Sequence, residues 1–95
     1  MNEEANIRFF NMLKAAPDLE RFWDVKEGVA KMKSIQLELA RNKDHHLLMF
    51  FCSVWYGTDA FKFDLVKAMK HLEAHEIKIV RRWMLEPFFP SDWGV

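Results

Sequence analysis

One cysteine, three glycines and three prolines are all that this 95-residue chain carries of the residues that cross-link, loosen or interrupt a backbone. A lone Cys52 excludes an intrachain disulfide, so stability has to come from apolar packing. Cys52 lies in the most apolar segment, where a small buried hydrophobe in a reducing compartment is the expected role. A catalytic thiol needs an adjacent base, and His45 and His46 lie one to two helical turns away.

Net charge is also missing. Fourteen Lys and Arg balance fourteen Asp and Glu, and each half of the chain balances separately. A nonspecific nucleic-acid binder carries a basic excess, so the global balance argues against that class, although individual faces remain to be weighed. Zero net charge also leaves little repulsion between copies, which permits self-association. Long hydrophobic runs are absent too. The longest, Leu47 to Tyr56, is ten residues broken only by Ser53, too short for a bilayer and suited to a buried helix. The start, Met-Asn-Glu-Glu-Ala-Asn, is acidic and polar and has no signal-peptide character. The expectation is a cytoplasmic protein with no membrane segment. No Ser/His/Asp, Cys/His or paired-carboxylate pattern and no Gly-rich phosphate loop is legible, so the chain is expected to be no enzyme and to carry no cofactor.

Aromatics are what the chain has. Fourteen residues are Phe, Trp or Tyr, several in adjacent pairs: Phe9-Phe10, Phe22-Trp23, Phe50-Phe51, Trp55-Tyr56 and Phe88-Phe89. Such rings give the largest buried area per residue. Neighbouring positions on a helix point about 100° apart, so one helix contact does not cover both rings of a pair. Some of this surface is expected to meet a partner.

The spacing predicts an all-α single domain over 1–95: a small four-helix bundle with an extended aromatic tail over 87–95. The first helix, 3–15, has Asn2 as N-cap and Glu3 and Glu4 at the positive end of the dipole. Pro17 ends that ladder and can open a second helix, running to a turn at Asn42-Lys43-Asp44. In it Phe22, Val25, Val29, Met32, Ile35 and Leu39 recur at steps of three or four, straight through Gly28, where a kink or break is possible. A third helix, 45–56, follows Asp44 as N-cap, is apolar nearly all round and belongs at the centre; Gly57 suits its C-cap. The fourth, 60–86, ends at Pro87, and His75-Glu76 interrupts its stripe. The alternative is a winged-helix-like α+β fold in which Glu76 to Val80 forms a strand.

Three constellations stand out. His71 and His75 are one turn apart, a spacing that lets two imidazoles share a metal, but no third ligand is legible and no metal site is assigned. Residues 62–82 hold six Lys and Arg against Asp64, Glu73 and Glu76. This basic face on helix 60–86, after a Gly-containing turn, has the outline of a helix-turn-helix DNA-binding regulator; a solvated face accounts for the same pattern. The tail holds Phe88, Phe89 and Trp93, with Arg81, Arg82 and Trp83 one turn before it, and Trp and Arg concentrate at the energetic centres of interfaces. The tail either folds back onto its own bundle or docks on another chain. The reading is a small non-catalytic protein-protein interaction module that forms a homodimer through Arg81, Arg82, Trp83, Phe88, Phe89 and Trp93, with another protein or nucleic acid as further possible partners.

Overall fold

A computed structural model describes residues 3–91. The chain is mostly helical with a small two-stranded sheet. Its elements are α1 (Glu3–Lys14), a 3-10 turn (Pro17–Phe22), β1 (Trp23–Asp24), β2 (Val29–Ala30), α2 (Met32–Arg41), α3 (His46–Tyr56), α4 (Leu65–His71) and α5 (Ala74–Leu85). α1 and α3 match their expected spans closely. The second and fourth expected helices do not run as single helices, and both breaks have local causes.

The segment after Pro17 folds as a turn, a hairpin and only then a helix. Pro17 sits at the start of the 3-10 turn, where its missing N–H costs nothing. Trp23 pairs with Ala30 and Asp24 with Val29, antiparallel. Asp24 organises the connection: its Oδ1 accepts from the Glu27 amide at 3.0 Å, and its carbonyl accepts from the Gly28 amide at 2.8 Å. Gly28 has φ +67°, the left-handed conformation that glycine adopts without penalty. The Asp-to-Gly span is therefore a hairpin turn, and the apolar period running through it belongs to two different structures.

The long fourth helix divides at Leu72-Glu73, where neither glycine nor proline stands. The break is made by a capping box. The Glu73 side chain accepts from the backbone at the third helical position, and Glu76 Oε1 accepts from the Glu73 amide at 2.8 Å. α4 is capped in turn by Asp64, whose Oδ1 accepts from the Lys67 amide at 3.1 Å. Residues 76–80, the strand of the winged-helix alternative, are helical within α5. At α3 the N-cap is His45 and not Asp44; Gly57 closes the helix at φ +62°, as its position suggested. Asn2, the expected cap of the first helix, lies outside the described residues.

The core centres on α3. Eight of its eleven residues are buried, including Leu48, Phe51 and Cys52 at 0% exposure. Phe9 of α1, also at 0%, meets Trp55 at 4.8 Å, Trp23 at 5.2 Å and Phe51 and Phe10 at 5.7 Å between ring centroids. Most of these pairs are tilted or edge-on, the arrangements that aromatic quadrupoles favour. Glu38 of α2, with its side chain 16% exposed, ties the surrounding pieces together. Its carboxylate reaches His45 Nδ1 at 3.1 Å and Arg21 at 3.6 Å.

Phe9→Ala is expected to cost about 3–5 kcal/mol, a large share of the about 5–14 kcal/mol available to a chain of this size. Ile7→Ala, two residues away but 59% exposed, should change stability by no more than about 0.5 kcal/mol. Urea denaturation of the two variants beside the parent measures the contrast. Gly57→Ala should lose about 1 kcal/mol, because a Cβ there meets nothing within 4 Å and only the positive φ opposes it.

Candidate functional site

Two concave surfaces share Trp83 in their linings. The first is a cleft of about 470 Å³ between α1 and α5. On α1, Arg8, Asn11 and Met12 face it, at the three-and-four steps of one helix face, with Ala15 just past its end. On α5, His75, Lys78, Ile79, Arg82 and Trp83 do the same, with Glu86 just past its end. Phe88 closes one end, with the Arg8 guanidinium 4.7 Å above its ring. Arg8 is held further by Glu86, donating from Nη2 to its carbonyl at 2.8 Å and lying 3.5 Å from its carboxylate. The second surface is a groove of about 210 Å³ lined by apolar side chains and Ser53. Leu65 of α4, Met84 of α5 and Phe89 of the tail border it, at 40%, 52% and 42% exposure. Phe50, Phe63 and Val80 contribute to its lining.

The tail contributes one ring to each surface, Phe88 to the cleft and Phe89 to the groove. Trp83 Nε1 donates to the Phe88 carbonyl at 3.0 Å, and Ser91 Oγ donates to the Trp55 carbonyl. Pro90 is buried. With these anchors the described part of the tail, 87–91, lies on its own chain, which is the fold-back alternative. Phe88 is half-buried against the core, while Phe89 meets Trp83 edge-on at 5.6 Å and stays exposed. Of the six residues expected to form an interaction surface, Trp83 and Phe89 meet at the apolar groove. Trp83, Phe88 and Arg82 line the cleft, Arg81 is exposed, and Trp93 lies outside the described residues. Leu65 and Met84, which recur at helical spacing with apolar neighbours on α4 and α5, border the groove and are not core residues. Arg8 joins the cleft through a contact 78 positions away, for which no local pattern exists.

The histidines separate. His71 stacks on the buried His46 ring, at 5.3 Å and 6° between planes, and His75 Nδ1 lies 3.5 Å from Glu73. Neither ring nitrogen of His46 has a hydrogen-bond partner among the described residues. No group of three or more potential metal-ligating side chains converges among the described residues. The basic residues Lys67, Lys70, Lys78, Arg81 and Arg82 are exposed but divided between α4 and α5. Among the described residues no helix is long and apolar enough to cross a membrane. Comparisons with protein-family models, curated proteins and solved structures gave no match.

Cys52 has the chemistry of a core residue. It is fully buried, and burial pushes its thiol up to about 12, which suppresses the nucleophilic thiolate. The proton is held more tightly in the folded chain than in the unfolded one, where the ordinary value is 9.0. The associated stability is present below pH 9.0 and lost as pH rises from there toward about 12. Tyr56 is raised by burial and by Cys52, so it acts in the same direction. Native Cys52 should resist iodoacetamide at pH 8 and react once the chain is unfolded. In denaturation from pH 8 to 10.5, Cys52→Ala should flatten the alkaline loss of stability, by at most about 1.4 kcal/mol per pH unit.

Proposed function

We propose that the chain is a small, non-catalytic protein-protein interaction module that associates with a second copy of itself through the groove between α4, α5 and the tail. The observation that carries this reading is the exposure of Leu65, Met84 and Phe89 around one apolar depression. Large side chains left open together around a dry hollow are the usual mark of a protein contact, whereas a single exposed apolar residue is ordinary. Trp83 in the wall and Phe89 at the rim are residue types that concentrate binding energy. Zero net charge favours a like partner, because two copies meet without a long-range penalty. A two-fold arrangement would set the same groove against itself and close the assembly. A burial of about 800 Å² per partner, the standard scale, asks for more than the groove alone, so neighbouring parts of α4, α5 and the tail would also be covered.

Light scattering across the micromolar range tests the reading. A concentration-dependent rise above the monomer mass of 11.4 kDa is expected. Met84→Glu with Leu65→Glu should weaken association by more than about tenfold, since two buried carboxylates per copy have no partner there. Leu65 and Met84 are 40% and 52% exposed, and Leu65 opens α4, where an acidic residue suits the helix dipole. The mild dipole cost of a carboxylate at Met84, in the last turn of α5, is borne at the surface, so the variant should stay folded. A parent chain that stays at the monomer mass, or a double variant that associates as well as the parent, overturns the reading. Salt-dependent binding to duplex DNA, lost on joint replacement of Lys78, Arg81 and Arg82 by Ala, would put the helix-turn-helix regulator in its place.

A further inference from the structure

We propose that the cleft between α1 and α5 binds a small organic oxyanion: a phosphate or carboxylate head on a flat apolar body. The inference does not rest on self-association: the cleft and the apolar groove share no lining residue but Trp83. Its volume, about 470 Å³, is within the range that small-molecule sites occupy. Its lining divides into two chemistries. Met12, Ile79, Trp83 and Phe88 present apolar surface, two of them as aromatic rings. Arg8, Lys78 and Arg82 present three basic side chains, with His75 beside them.

The charge is unbalanced inside the cleft although it is balanced over the chain. Glu86 is the one acid in the lining, and Arg8 already engages it. Neither Lys78 nor Arg82 forms an ion pair with a described residue. Lys78 and Arg82 are one turn apart on one face of α5, and Arg8 faces them from α1. The arrangement is partly preorganised. Arg8 uses only Nη2 in its contacts with Glu86 and is set over the Phe88 ring, so its other donors remain for a ligand. The Trp83–Phe88 hydrogen bond holds the aromatic end in place before anything binds. An anion alone would meet the cations in open water and gain little. An apolar body alone would meet a cleft edged by charge. A ligand with both uses each half of the lining, and the partial removal of water strengthens the charge contacts.

Amide chemical-shift titrations of the full chain test the proposal with four probes: phenyl phosphate, benzoate, inorganic phosphate and benzyl alcohol. Phenyl phosphate should give saturable shifts centred on residues 8–15, 75–83, 86 and 88, with affinity at least about tenfold above inorganic phosphate and benzyl alcohol. Benzoate in first place would identify a carboxylate head and phenyl phosphate a phosphate head; either supports the proposal. Added salt should weaken binding. Lys78→Ala with Arg82→Ala, both exposed, should lower affinity by about tenfold or more without altering the fold. Ala15→Phe should obstruct the aromatic probes and leave any weak inorganic phosphate shifts unchanged. Three outcomes overturn the inference: no saturable shift at millimolar probe, shifts centred on Leu65, Met84 and Phe89, or binding indifferent to the loss of Lys78 and Arg82.

Discussion

Phe9 has no solvent exposure and touches four other rings, and the path of the chain around it follows from that burial. Trp55 and Phe51 reach it from α3, one turn apart on the same helix face. Trp23 has to come from the segment after Pro17. A straight helix over that segment would point Phe22 and Trp23 about 100° apart and carry the chain away from α1. The 3-10 turn and hairpin instead keep Leu19, Phe22 and Trp23 all at 1–2% exposure. The energy of enclosing these large rings outweighs the loss of a few helical hydrogen bonds, which the hairpin partly replaces.

With the ring cluster closed, α3 is covered from several sides and the remaining elements pack around it. The short tail depends on the same centre, since Ser91 donates to the carbonyl of Trp55, one of the rings on Phe9. Pro87 and Pro90 restrict the backbone between them and remove two N–H donors, so this stretch cannot continue α5. Phe88 and Phe89 line different surfaces, with Trp83 in the wall of both. One ring closes the basic cleft and the other borders the apolar groove. A single indole thus forms a wall of two surfaces of contrasting chemistry.

Local pattern carried much of the element structure. The helices at the start and in the middle and the glycine that ends α3 are all set by interactions within a few residues, whereas the fourth helix, expected from 60, begins only at Leu65 after the Asp64 cap. The two misread segments show where such patterns mislead. Apolar steps of three and four persist across a hairpin when each half supplies its own core residues, and at Gly28 the left-handed turn competes with a tolerated helical glycine. At Leu72-Glu73 the stop is a Glu-x-x-Glu capping box, which a continuous stripe of helix formers conceals.

The sequence by itself determined that the chain is mostly helical, that the segment around 46–56 is central, that no intrachain disulfide forms and that charge is neutral overall. Each of these rests on composition or on contacts between near neighbours. Only the tertiary structure decided which aromatics are spent in the core and which remain outside. Phe50 and Phe63 share a lining with the exposed Phe89, while Phe10 packs against Trp55. It also decided where charge gathers: Arg8 meets Glu86 and faces Lys78 and Arg82 across a cleft, although the chain as a whole has no net charge. The reason is that solvent exclusion and charge proximity depend on distances between segments far apart in the chain, and no local period encodes those distances.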